Sequence, residues 1–170
     1  MNYYLGIDPG LSKKHAYAII SEEEKLQAFG LFGLDEPVSF FEILDNFFVE
    51  KAFIESQYIG KNKRQNIALS QKAGEIKGYL STKGIESEFI DARLWTSAYM
   101  RQRRGWPKRK VYLHAVHWGT ISQFELDLDG YKIDPQRDIC CAIQIGLYGL
   151  RQLKTEQLII MTRGKQHDRT

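Results

Sequence analysis

The apolar positions of the chain fall first into short runs and then into stretches of helical period. Tyr3–Asp8 reads as a strand that breaks at Pro9-Gly10, and Ala16–Ser21 and Leu26–Leu34 read as two more. A helix is predicted from Pro37, a residue suited to a first helical position, with Asp35 and Glu36 suited to the positive end of the helix dipole. Phe40, Phe41, Leu44, Phe47 and Phe48 are spaced to share one face of it. Lys51–Glu55, an apolar centre between polar ends, is a fourth strand. From Lys63 to Ser81 the residues Leu69, Ala73, Ile76 and Leu80 recur at helical spacing, and Gly84 is placed to end that helix. Glu86–Ile90 alternates as a fifth strand. A helix over Arg93–Arg101, an Arg-Gly-Trp-Pro loop and a helix from about Lys110 follow.

The last helix carries the sharpest signal. Asp134-Pro135 reads as an N-cap followed by a first-turn proline, and Ile139, Ala142, Ile143, Gly146, Leu147 and Leu150 trace one apolar stripe. Beyond Leu158 the apolar residues give way to MTRGKQHDRT, read as a frayed basic tail. One domain over residues 1–155 and a tail over 156–170 are therefore expected. Three strands, a helix, a strand, a helix, a strand and then helices predict an α/β fold with a mixed sheet.

Composition adds exclusions. With 170 residues, 43% hydrophobic and 26% charged, the chain has the make-up of a globular domain, and no run of 18 apolar residues exists to span a membrane. The N-terminus lacks the basic head and apolar run of a secretory signal, and the only cysteines, Cys140 and Cys141, are helix neighbours that point apart. Two buried thiols in a reducing, cytoplasmic setting are expected, with no zinc cluster and no organic cofactor.

The net charge of +3 hides an uneven distribution. Residues 21–50 hold eight acids against Lys25 alone. From Ala92 to Phe124 there is no acid and there are seven bases: Arg93, Arg101, Arg103, Arg104, Lys108, Arg109 and Lys110. A second acid-free run, Ser56 to Ala73, holds Lys61, Lys63, Arg64 and Lys72. Two basic stretches on a nearly neutral chain suit a polyanion, although a solvated basic surface would give the same counts.

Three acids stand out against this background. Asp8 and Glu55 each end an apolar strand, and Asp138 lies one turn into an apolar helix. Singly, each has an ordinary explanation: a turn carboxylate, a local ion pair, a first-turn acid answering the helix dipole. Together they are the kind of oxygen set from which divalent-metal sites are assembled.

Gly6-Ile7-Asp8-Pro9-Gly10, then Phe53-Ile54-Glu55-Ser56-Gln57-Tyr58 with Gly60-Lys61-Asn62 after it, and the late Asp138-Ile139-Cys140-Cys141-Ala142-Ile143 helix resemble the RuvC-type Holliday junction resolvases of the RNase H-like superfamily, in the right order over residues 1–153. The resemblance implies an RNase H-like α/β fold with a five-stranded mixed sheet flanked by helices. It implies a homodimer that nicks four-way DNA junctions in pairs with two Mg²⁺ per site (Mn²⁺ substituting), leaving 5′-phosphate and 3′-hydroxyl ends. Asp8, Glu55 and Asp138 would be the metal ligands. Tyr58 matches the aromatic that acts at the junction point, although a half-buried strand-edge tyrosine would look the same. Lys108 falls where the family has a lysine near the scissile phosphate, with Arg109 and Lys110 fitting almost as well. Lys61, Asn62, Lys63, Arg64, Arg101, Arg103, Arg104, Lys108, Arg109 and Lys110 would hold the DNA backbone.

One departure matters. The family has a further acid three residues before the helix aspartate, where this chain has Pro135. Asp134, one residue earlier, shares a helical face with Asp138 and would serve as the fourth ligand, unless it is committed as the N-cap. Asp127 and Asp129 read as turn chemistry. A fork or flap nuclease, an RNA–DNA hybrid nuclease and a non-catalytic junction-binding protein are the alternatives.

Overall fold

The computed structural model describes residues 1–10, 14–56, 63–102 and 112–167. Its elements run β1 (Tyr3–Asp8), β2 (Lys14–Ser21), β3 (Leu26–Gly33), α1 (Val38–Asp45), β4 (Val49–Ser56), α2 (Lys63–Thr82), β5 (Glu86–Asp91), α3 (Ala92–Gln102), α4 (Tyr112–Phe124) and α5 (Ile133–His167). The five strands form one sheet in the order β3-β2-β1-β4-β5. β1–β2 and β2–β3 are antiparallel; β1–β4 and β4–β5 are parallel. The mixed sheet expected from the element order is present, with β1 at its centre.

Both faces of the sheet are covered, which is why its central strands are apolar throughout. Leu5, Ile7, Tyr17, Ile19, Ala52 and Ile54 point to the side packed by α1 and α2, against Phe40, Leu44, Ala73, Ile76 and Leu80. Tyr4, Ala18, Ile20 and Phe53 point to the other side, against the Ile139–Leu150 stripe of α5 and the buried residues of α3 and α4. The period of two along the strands and the period of 3.6 along α5 meet in that second layer.

Glycines let α5 lie directly on the sheet. A Cβ on Gly6 would stand 2.1 Å from the Ala142 carbonyl oxygen and 2.6 Å from the Gly146 nitrogen. One on Gly149 would enter the Phe53 ring at 2.2 Å. At the opposite end of the domain, Gly84 ends α2 in a left-handed conformation (φ 72°) with Ile85 N–H donating to the Leu80 carbonyl and Gly84 N–H to that of Ser81. That paired closure is the Schellman arrangement.

Three details differ from the sequence reading. α1 stops at Asp45, so Phe47 and Phe48 leave its face: Phe47 meets Tyr3 edge-on at 5.0 Å and Phe48 is exposed. α5 starts at Ile133, before the expected cap, so Asp134 sits inside the first turn. The start is set by Gln136, whose N–H donates to the Lys132 carbonyl and whose side-chain amide closes the preceding turn through the carbonyls of Leu128 and Tyr131. Pro135 is tolerated there because first-turn N–H groups have no helical partner. Finally, α5 does not fray after Leu158 but continues to His167, with Leu158, Ile159, Ile160 and Met161 exposed. Cys140 and Cys141 are free and buried. Among the described residues no helix is long and apolar enough to cross a membrane.

Candidate active site

The sheet register brings Asp8 and Glu55 together. β1 and β4 run parallel with Ile7 level with Ile54, so the next residues, Asp8 and Glu55, end neighbouring strands side by side. By the strand alternation both share the face of Gly6 and Phe53, the face covered by α5.

Asp138 arrives by helix geometry. Gly6 touches α5 at Ala142 and Gly146, while Arg151 reaches Glu24 beyond the other end of β2; α5 therefore runs antiparallel to β1. Stepping from Gly6 to Asp8 covers about 6.6 Å of strand. Stepping back one turn from Ala142 to Asp138 covers about 6 Å of helix in the same direction. The third acid is thus delivered beside the first by matching rises.

The charges register this meeting. Burial, then the charges of Glu55 and Asp138, push the Asp8 carboxyl well above the usual aspartate range, against a hydrogen bond from Cys141 that works the other way. Asp138 is raised by burial and then by Asp134, with Arg137 opposing. The Cys141 thiol is pushed far up by burial and by all three carboxylates, Asp8, Glu55 and Asp138. Cys141 is three residues after Asp138, one turn on, and so faces the same acids.

Glu55 is buried, and its Oε1 accepts a 2.9 Å hydrogen bond from the indole Nε1–H of Trp95 on α3. Trp95 is itself only 2% exposed, so this donor is fixed by the core. Neither Trp95 nor Cys141 was predicted at the site. A tryptophan inside an apolar helical pattern signals packing, and its need for an acceptor is the one clue that it would seek a buried carboxylate.

Asp134 is near enough to raise Asp138 but, unlike the three, lies in solvent. Its side chain is 81% exposed and accepts a hydrogen bond from Arg137 Nη1 at 3.3 Å. The Asp127 carboxylate accepts from Asp129 N–H, the turn chemistry expected of that segment. Of the expected DNA-binding residues, Arg64 and Arg101 are exposed, the latter in the last turn of α3. Tyr58, Lys61, Asn62, Arg103, Arg104, Lys108, Arg109 and Lys110, and the side chain of Lys63, lie outside the described residues.

Solved structures share this architecture. T. thermophilus RuvC in complex with a Holliday junction substrate matches with a TM-score of 0.64 at 14% identity, over 91% of this chain and 97% of that one. The fold is that of RuvC. Fowlpox virus resolvase, in complex with its substrate Holliday junction DNA, matches with a TM-score of 0.53 at 18% identity, over 89% and 98% of the two chains. The yeast mitochondrial Holliday junction resolvase matches at 0.50 and 13%, over 94% and 85%. No family model matches the sequence, and no curated protein matches it. The RNase H-like fold with a five-stranded mixed sheet expected of the chain is therefore present, at 13–18% identity to those neighbours.

Proposed function

We propose that the chain is a divalent-metal-dependent endodeoxyribonuclease that resolves four-way DNA junctions as a homodimer. The observation that carries this reading is the convergence of Asp8, Glu55 and Asp138 in a RuvC fold, on a chain with two acid-free basic stretches. Two of the neighbours sharing the fold are seen with Holliday junction DNA, which supports a branched substrate.

The charges of Glu55 and Asp138 raise the affinity of Asp8 for a proton, and the donor atoms of all three acids are oxygen. That donor set fits a hard cation such as Mg²⁺ or Mn²⁺. Among the described residues no three acidic, histidine or cysteine side chains are arranged to hold an ion as they stand, so binding would draw Asp8, Glu55 and Asp138 inward. Two ions bound there would supply activation of a water and stabilisation of the leaving 3′ oxygen. Trp95 keeps Glu55 directed into the site and shields it from water. A fourth carboxylate, Asp134, would contribute only after releasing Arg137.

The basic stretches bind the phosphate backbone of the arms, reading shape with few base contacts. Arg64, at the start of α2, and Arg101 are the described members; Tyr58, Lys61 to Lys63, Arg103, Arg104 and Lys108 to Lys110 complete the set.

The test is a cleavage assay on end-labelled DNA in Mg²⁺ beside a Ca²⁺ control, with a mobile four-way junction, a fork, a linear duplex and an RNA–DNA hybrid. Paired symmetric nicks in the junction alone are expected, with Asp8→Asn abolishing cleavage while junction binding survives. Equal cutting of forks would make the protein a general branched-DNA nuclease. Tight binding without cleavage in Mg²⁺ or Mn²⁺ would make it a junction-binding protein.

A further inference from the structure

Arg137 lies near the start of α5, one turn after Asp134 and directly before Asp138. Its side chain folds back so that Nη1 donates to Asp134 Oδ1, at 3.3 Å, longer than a good charge-assisted bond. Its Nε is buried and has no hydrogen-bond partner among the described residues.

Among the described residues, two other arginines that form ion pairs use their forks differently. Arg151 places both Nε and Nη2 on Glu24 Oε2, at 2.9 and 2.7 Å. Arg93 places Nε and Nη2 on the Asp91 carboxylate. Each of those guanidiniums is committed through two nitrogens to one acid, as the planar fork favours. Arg137 has one long bond to a carboxylate that is otherwise in solvent, and a second donor with no acceptor among the described residues. A guanidinium held loosely at the rim of an acidic pocket, with donors still to be paired, is built to take another anion.

We propose that Arg137 grips a non-bridging oxygen of the scissile phosphodiester, exchanging Asp134 for the phosphate when DNA is seated over Asp8, Glu55 and Asp138. The proposal rests on the nuclease reading above and adds a residue to it. The fork geometry suits phosphate as well as carboxylate, and a tetrahedral phosphate offers two acceptors where Asp134 now takes one bond. The exchange also frees Asp134 at the moment the substrate arrives, which joins the displaced acid to the same event.

The experiment is a binding cycle in EDTA, so that no metal takes part. The cleaved phosphate of the junction is first mapped with wild-type protein in Mg²⁺, and a junction carrying a neutral methylphosphonate at that position is made. Wild-type protein should bind the methylphosphonate junction about tenfold more weakly than the natural one. Arg137→Gln should lose about tenfold on the natural junction and nothing more on the methylphosphonate. Arg137→Lys, which keeps the charge without the fork, should fall between them. Losses that multiply, or an Arg137→Gln variant that binds the natural junction like wild type, would overturn the assignment and leave the nuclease reading intact. A wild-type protein that neither cuts the junction nor prefers it to duplex would overturn both.

Discussion

Gly6→Ala tests whether the site depends on α5 lying directly on β1. The added Cβ would stand 2.1 Å from the Ala142 carbonyl oxygen, where ordinary contact begins at 3.4 Å, a shortfall of about 1.3 Å. Two further backbone atoms, Gly146 N and Cα, stand at 2.6 and 2.8 Å, so no side-chain rotation relieves the clash. α5 must lift by about 1 Å, or β1 must bend. Overpacking against a side chain costs about 1–3 kcal/mol, and a backbone obstruction belongs at or above the top of that range, about 3–5 kcal/mol. Gly146→Ala should be milder, because its closest neighbour at 2.7 Å is the tip of Ile20 and the Gly6 backbone stands at 3.2 Å. Gly74→Ala, with nothing within 4 Å, should stabilise by up to about 1 kcal/mol through helix propensity alone. Urea denaturation of the three variants gives the ranking. Any Gly6→Ala protein that still folds should also cleave junctions about a hundredfold more slowly, because the same lift carries Asp138 away from Asp8. A Gly6→Ala variant as stable as wild type would show that α5 does not sit where the strand and helix rises require.

Two further outcomes are expected. Trp95→Phe keeps an aromatic core residue but removes the donor to Glu55; it should cost about 1–3 kcal/mol and raise the Mg²⁺ concentration needed for metal-induced thermal stabilisation about tenfold or more. An unchanged metal response in a folded variant would reduce Trp95 to packing. The pairing of Glu24 with Arg151 should make stability depend on pH: the hydrogen bond from Arg151 holds the Glu24 carboxyl below its ordinary 4.5 despite partial burial. A depressed acid stabilises above its unfolded value and loses that contribution as pH falls through the folded one. Both side chains are about a third exposed, so the pair contributes about 1 kcal/mol or less. The stability gap between wild type and Glu24→Gln, measured by denaturation, should be present at pH 7 and fade below pH 4.5; a gap unchanged at pH 3 would refute it.

The strands were legible because each is a short apolar run bounded by turn residues, and their predicted ends moved by two residues or fewer. α1 was overextended because Phe47 and Phe48 continue its period while the backbone turns at Asn46; periodicity cannot tell a helix face from a strand approach that is also apolar. The start of α5 was misplaced for a related reason. Asp-Pro is a strong cap signal, yet the cap is decided by Gln136 closing a turn eight residues back, a tertiary event. Of the site, the three acids could be nominated because a carboxylate at the end of an apolar strand needs a reason. Trp95 and Cys141 could not, since their residue types are ordinary in helices and only the crossing of α3 and α5 over the sheet brings them to the acids; Arg137 could not, since an i,i+3 pair with Asp134 is ordinary on a helix surface.

On the proposed reading, the arrangement of charge would separate holding DNA from cutting it. The acid-free stretches, Ser56 to Ala73 and Ala92 to Phe124, begin at the ends of β4 and β5, whereas Asp8 and Glu55 lie at strand ends and Asp138 near the start of α5. Basic stretches alone would serve a protein that only binds junctions. In such a protein Asp8, Glu55 and Asp138 would repel the phosphates being held, and replacing them with amides would improve it. On the proposed reading, their meeting in one pocket, with a buried indole directed at Glu55 and Arg137 beside Asp138, would be explained by the entry of both a cation and a phosphate. The pocket would weaken binding in the absence of metal and become the place where metal and substrate charge balance, which is why loss of Asp8 should separate binding from cleavage and not abolish both.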